Sequence, residues 1–339
     1  MQIQNALATP FWIEGQNVHT SASIGIVKGA ADYVAVEDIL RDADLAMYRA
    51  KSLGKARAEI FDASMHVQAT TRLRLENDLR RALRDNEFVL HYQPIVSLDT
   101  GQITGFEALV RWQVPGLGLV YPGDFISVAE ETGFIIPLGM LVLRQACQTA
   151  LAWRREFSHE APLTMSVNLS PRQFAQHNLV QNVQTILAET KVDPSLIKLE
   201  LTESGTMAAP ERAFRVLCEL KSLGLQLSID DFGTGYSSLS YLHRFPIDLL
   251  KIDRSFVNEI MLNSESRQIV KTILALAEGM KMDVVAEGIE TQEQLVELMR
   301  MGCRFGKGYL FSEPLTLADA TAMLHGPRLK YGHRTALAA

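Results

Sequence analysis

The chain has 339 residues, of which 47% are hydrophobic and 21% charged, with a formal net charge of -6. That length gives room for about two domains and a large core, which excludes a disordered chain and a small disulfide-stapled scaffold. The acidic balance argues against a broad DNA- or RNA-binding surface, although an acidic protein can bind a phosphate ligand where a metal supplies positive charge.

Residues 1–62 make the first piece. Val18–Val27 (VHTSASIGIV) alternates and is β-branched, which predicts a strand. Glu37–Gly54 predicts a helix, because Ile39, Leu40, Ala43, Met47 and Ala50 recur at helical spacing and Gly54 supplies a stop. Ala56–Asp62 (ARAEIFD) predicts a short strand. One helix with two or three strands cannot bury a sound core. The piece is therefore expected to be part of a domain, less stable than the barrel predicted after it, with apolar surface left uncovered. Residues 63–86 predict a connecting helix, with Leu75, Leu79, Ala82 and Leu83 on one face.

From Glu87 to Gly326 short β-rich runs alternate with longer helical ones, and 327–339 is a tail. Strands are predicted at Phe88–Ser97, Ile103–Trp112, Leu163–Ser170, Ile197–Ser204, Leu225–Phe232, Asp248–Ser255, Asp283–Glu290 and Cys303–Phe311. Helices are predicted at Leu179–Thr190, Ala213–Gly224, Ser266–Met280 and Gln292–Gly302. Eight strands with intervening helices over about 240 residues predict an α/β fold, a (β/α)8 TIM barrel. Only SLDTGQ separates the first two strands, so that pair is expected to be antiparallel.

Phe134–Leu143, the longest apolar stretch, contains Pro137 and Gly139 and stops at Arg144, too short to span a bilayer. No membrane segment is expected, and the first residues lack the pattern of a signal peptide. Cys147, Cys218 and Cys303 are far apart with no C-x-x-C pair. They read as reduced thiols of a cytoplasmic protein rather than a zinc site or disulfide framework.

The predicted strands begin apolar and end polar. Glu107 follows ITGF, Asn168 follows TMSV, Glu200 and Glu203 lie in KLELTE, Asp230 and Asp231 follow LSI, Lys251 and Asp253 lie in LLKID, and Glu287 follows VVA. A lone carboxylate at a strand end is more often a cap or a surface residue. Five strands carrying such residues would converge on one face of a barrel, where active sites lie. Converging carboxylates repel and need a hard cation, which suits Mg2+ or Mn2+. Asp230 and Asp231 could bridge two ions for hydrolysis of a phosphate ester. Lys251 either contributes charge and positions the attacking water or is a salt bridge that balances the acids. The GTGYSSL loop after Asp231 reads as a gate or as an ordinary strand-to-helix loop. Arg111 could fork onto a phosphate, or be a surface Arg beside Trp112, and Gln93 could hydrogen-bond a base.

The chain resembles the EAL-domain phosphodiesterases through FEALVRW (Phe106–Trp112), YQP (Tyr92–Pro94), SVNLS, LELTES, DDFGTGYSSL, LKIDRSF, AEGIET and GYLFSEP, in the family's order over residues 70–326. The resemblance implies a modified (β/α)8 barrel with one antiparallel strand and a two-metal, Mg2+- or Mn2+-dependent hydrolysis of cyclic di-GMP to linear pGpG. It implies Glu107, Asn168, Glu200 and Asp230 as ligands of one metal, Asp230 and Asp231 for the second, and Glu287 in or near that shell. Lys251 would hold the catalytic water, and Glu203 would steady the GTGYSS loop, which links the metals to dimerisation. Gln93, Leu109 and Arg111 would contact the ligand, and a homodimer through the barrel is implied.

Two positions depart from the pattern. The family usually has Gln where this chain has Lys307, a cation expected to weaken metal binding by repulsion or to pair with Glu287 or a substrate phosphate. Glu313 replaces an Arg and reads as surface variation. With Lys307 in the site, the alternatives to an enzyme are a catalytically impaired cyclic di-GMP receptor or an inert interaction barrel. SASIGIV and ADLAMYRAKSLGKARAEIFD resemble the C-terminal part of a GGDEF diguanylate cyclase domain. The GGDEF motif is absent from this chain, so no synthesis of cyclic di-GMP is expected.

Overall fold

The computed structural model describes residues 2–13, 16–29, 33–157, 161–207, 209–235 and 239–326. Residues 236–238 of the GTGYSSL loop and the 327–339 tail lie outside the described residues. The chain divides into two compact units between Arg80 and Arg81.

In the first unit, after a helix at Gln2–Ala8, β1 (Phe11–Ile13) and β2 (Gln16–Val18) form an antiparallel pair. β3 (Ile24–Ile26) and β4 (Ala58–Ile60) pair in parallel around the helix Val36–Ser52. The helix is where its periodicity places it, with Glu37 and Asp38 in its first turn and Arg49 and Lys51 in its last, matching the helix dipole. It lies so close to β3 that a Cβ at Gly25 would sit 1.9 Å from the Ala43 carbonyl oxygen, which only glycine avoids. The predicted strand at Val18–Val27 is corrected to two short ones. β4 is three residues long, and a ladder is no longer than its shorter strand. Trp12, Ile13, Leu40 and Ile60 are exposed, with Trp12 at 73%, so apolar surface is uncovered as the incomplete core requires. The connecting helix spans Ser64–Arg84.

The second unit is a closed barrel of eight strands: β5 (Phe88–Ser97), β6 (Ile103–Val114), β8 (Thr164–Leu169), β9 (Ile197–Thr202), β10 (Gln226–Phe232), β11 (Leu249–Ile252), β12 (Asp283–Ala286) and β13 (Phe305–Gly306). Between β6 and β8 in sequence, β7 (Gly118–Val120) extends the sheet as a hairpin on β6. β5 runs antiparallel to both neighbours, β6 and β13, while the other barrel pairs are parallel. The short link between β5 and β6 forces that one reversal. Ile95, Leu249 and Val285, with Phe305, fill one side of the interior.

β5 begins and ends where its alternation predicts, but β13 shrinks to Phe305–Gly306. Gly308 leaves the ladder to lie against Ile289, where a Cβ would meet the Ile289 carbonyl oxygen at 2.1 Å. The apolar stretch after Phe134 is also longer than expected. It opens a helix at Ile135–Glu156, among the described residues the one helix long and apolar enough to cross a membrane. Pro137 is tolerated because it sits in the first turn, where the N–H has no helical acceptor. Leu138, Val142, Leu143, Ala146, Ala150 and Trp153 are buried on the barrel, which accounts for the apolar face. Cys147 and Cys303 are free and buried, and burial raises both thiols to about 12, while Cys218 is exposed.

Candidate active site

The period-two alternation of β6 decides what faces the interior. Phe106 packs on Trp153 with ring centroids 4.8 Å apart, and Trp112 on Phe125 at 5.9 Å, so the even-numbered side chains look outward. Glu107, Leu109 and Arg111 therefore share the inner face. Gln93 on β5 stands opposite Glu107 in register and donates from Nε2 to the Ser312 carbonyl oxygen at 3.2 Å. Asn168 on β8 pairs in register with Glu200 on β9, and its Nδ2 donates to Glu107 Oε1 at 2.7 Å.

β10 breaks the alternation. The register with β11 shifts between Ile229 and Phe232, and Asp231 takes a left-handed φ of 53°. A bulge re-aims adjacent side chains, so consecutive aspartates can serve one site. Asp230 lies within reach of Lys251, with Nζ to Oδ2 at 3.0 Å. Asp253 lies near Asp231, and its Oδ1 accepts the Ser255 N–H at 2.9 Å.

Lys251, 1% exposed, sits in the middle of the acids. Its Nζ contacts Glu200 closely, Glu287 at 2.7 Å, Asp230 at 3.0 Å and Glu107 at 3.6 Å. Lys307, 7% exposed, contacts Glu107 closely and Glu287 at 3.0 Å. Burial opposes the charge on Glu107, but Lys251, Lys307 and the Asn168 amide outweigh it and hold the carboxyl below the usual range. Burial raises Glu200 and Asp230, Lys251 pulls the other way, and neighbouring carboxylates add to the rise. Burial likewise raises Asp231, helped by Asp230 and Asp253. Burial would lower both lysines, but the surrounding acids hold them well above the ordinary range.

Glu203 opens a short helix, Glu203–Met207, and is buried. Its Oε2 accepts the Gly233 N–H at 3.0 Å, and a Cβ at Gly235 would come within 2.9 Å of its Oε1. It thus grips the described part of the GTGYSSL loop from beneath. Arg111 is buried, not a surface residue, because β5 and β7 flank β6 where it sits. Its Nη1 donates to the Val110 carbonyl at 2.8 Å and its guanidinium lies 5.2 Å from the Tyr121 ring centroid. Its Nε is buried with no hydrogen-bond partner among the described residues. Leu109 is half-buried between Glu107 and Arg111.

Among the described residues no three His, Cys, Asp or Glu side chains are gathered tightly enough to ligate one ion as they stand. Lys251 and Lys307 fill that space instead. The donor set still fits a hard divalent cation: five carboxylates and an amide, all oxygen donors, with two ammoniums in contact with them. Sequence reading missed the floor beneath the acids. Lys198, Ser166 and Ser228 are buried on β9, β8 and β10, and both serine hydroxyls lack partners among the described residues. The alternation in IKLELT carried that signal, since Lys198 shares a face with Glu200.

Residues 76–314 match the EAL domain family, and residues 1–57 match the diguanylate cyclase GGDEF domain family. The chain is 41% identical over 309 residues to the bifunctional diguanylate cyclase/cyclic di-GMP phosphodiesterase MucR of Pseudomonas aeruginosa, covering 91% of this chain and 45% of that protein. It is 38% identical over 314 residues to the cyclic di-GMP phosphodiesterase PdeR of Escherichia coli, covering 93% of this chain and 47% of that protein. The chain thus spans about half the length of these relatives. The solved structure of PaMucR phosphodiesterase in complex with c-di-GMP is 42% identical with a TM-score of 0.70, covering 73% of this chain and 99% of that one.

Proposed function

We propose, from the premise that the chain belongs to the EAL-domain family, that it is a divalent-metal-dependent phosphodiesterase that opens cyclic di-GMP to linear pGpG. The observation that carries this is the convergence of Glu107, Asn168, Glu200, Asp230 and Glu287 from five strands onto one buried cluster. Glu107, Asn168, Glu200, Asp230, Asp231 and Glu287 would hold Mg2+ or Mn2+. Bound there, the ions supply Lewis acidity toward the phosphodiester.

The remaining work falls to the chain's own residues. Arg111 offers the N–H of Nε to a phosphate oxygen, and Gln93 and Leu109 border the same face. Lys251 Nζ holds the attacking water and donates to the charge that develops on the phosphoryl oxygens. The water oxygen joins phosphorus and gives up a proton, one bridging P–O bond breaks, and the departing oxygen takes up a proton in its place. Glu203 keeps Gly233 beside Asp231. We further propose a cytoplasmic location and a homodimer through the barrel, which sedimentation analysis would read directly.

The full chain, incubated with cyclic di-GMP and Mg2+ or Mn2+ and resolved by chromatography, is expected to yield pGpG, and none in excess EDTA. No product in either metal would overturn the enzyme. Lys307 inside the acid cluster favours one other reading, a receptor; nucleotide binding without turnover would establish it. Arg111→Ala is expected to weaken nucleotide binding about 10- to 100-fold in calorimetry with kcat little changed, because a charged hydrogen bond is lost. Unchanged affinity would remove Arg111 from the binding face.

A further inference from the structure

Lys307 is fixed from its backbone outward. Its N–H donates to the Ala286 carbonyl at 2.9 Å and its carbonyl accepts the Ile289 N–H at 3.1 Å. Those two bonds straddle Glu287 and set the Lys307 side chain beside it. The ammonium then reaches Glu287 at 3.0 Å and Glu107 on the far strand. Asp230, Asp231 and Glu200 have no ion pair with Lys307 among the described residues. The cation is thus confined to one side of the cluster.

The charge count gives this placement a consequence. Glu107, Glu200, Asp230, Asp231 and Glu287, counted as ionised, bring five negative charges against the two ammoniums in contact with them, a deficit of three; the nearby Lys198 and Asp253 carry opposite charges and leave that deficit unchanged. One divalent ion leaves a single negative charge. Two would overfill the cluster by one positive charge, in a buried setting where like charges repel strongly. With a neutral residue at position 307, the deficit becomes four, which two divalent ions meet in full.

We propose that the Lys307 ammonium stands in for one of two divalent cations while no nucleotide is bound, so that the free chain takes a single divalent ion. That ion draws on Glu200, Asp230 and Asp231, the acids Lys307 does not pair with. The phosphodiester of an incoming nucleotide brings the negative charge that admits the second ion, which makes metal loading and substrate binding cooperative. The inference rests on the metal-dependent reading above and assigns to this chain a residue that sets how many ions that site holds.

The test is a titration of the metal-free full chain with Mn2+ alone, with free Mn2+ read by electron paramagnetic resonance. One tight ion per chain is expected for the wild type. Two are expected for Lys307→Gln and Lys307→Met, the second bound about 100-fold or more tightly than by the wild type. Lys307→Arg keeps the charge and is expected to stay at one, which separates charge from shape. Near-ultraviolet circular dichroism of each Mn2+-loaded variant confirms a native fold. Two ions on the wild type, none, or one on every folded variant would overturn the proposal. The readout needs no turnover, so it is separable from the phosphodiesterase reading. A wild type that makes pGpG yet holds two Mn2+ when free refutes the inference alone. A wild type that makes no pGpG but changes stoichiometry at Lys307 refutes only the enzyme.

Discussion

Asp230→Asn is expected to slow pGpG release by about 100- to 1000-fold, while cyclic di-GMP still binds. Asp230 stands at the bulge of β10, where the alternation breaks so that consecutive acids can serve the same site. The amide keeps the shape and removes one negative charge from the cluster. The fold has no reason to suffer. Burial and the neighbouring acids Glu287 and Glu107 raise Asp230, so its charge is tolerated rather than favoured. On the metal-dependent reading, what is lost is a hard anionic ligand at the centre of the site. Chromatography of the products against time measures the rate, and a thermal melt of the metal-free protein shows that the fold is intact. A folded variant that releases pGpG within tenfold of the wild-type rate would remove Asp230 from the chemistry.

Lys251→Met is expected to destabilise the metal-free chain by about 3–5 kcal/mol, the usual consequence of leaving buried charge without its partner. Lys251 contacts four carboxylates and is all but inaccessible. Lys307 reaches only two of them. Methionine fills the volume and leaves Glu200 and Asp230 without an ammonium in contact. Divalent cations should restore much of the loss, because they bind the same oxygens and act on the folded state by mass action. Urea unfolding with EDTA and with Mn2+ gives both numbers. A variant as stable as the wild type in EDTA would show that Lys251 does not balance the acids. A variant rescued by Mn2+ yet still hydrolysing cyclic di-GMP at the wild-type rate would confine Lys251 to that balancing role.

The barrel was legible because its signals are local. Alternation in FVLHYQPIVS and helical spacing in LVQNVQTILAET place β5 and the helix Leu179–Thr190 with their limits intact. The link between β5 and β6 is too short for a crossover, which made the antiparallel pair readable as well. β13 and the Val18–Val27 region failed for the complementary reason. A strand's length is set by its partner, and β4 and the Ile289 backbone are distant in sequence. The helix Ile135–Glu156 was under-read because Pro137 and Gly139 look like breakers until the first turn is known to begin at Ile135.

Which acids lie at the strand ends was determined by sequence alone. Carboxylates and an amide at the ends of apolar runs, in a family's order, point to the chemistry proposed above because residue type and spacing are properties of the chain. Which charges meet was decided only by tertiary structure. Lys307 and Glu107 are separated by 200 residues, and Lys251 and Glu200 by 51, yet each pair is in contact. The bulge that gathers Asp230 and Asp231, the burial that strands Nε of Arg111, and the backbone bonds that aim Lys307 at Glu287 all come from strands closing into a barrel. Electrostatic energy falls with distance and grows with burial. The sequence lists these charges without placing them, and the barrel's closure sets how strongly each one acts.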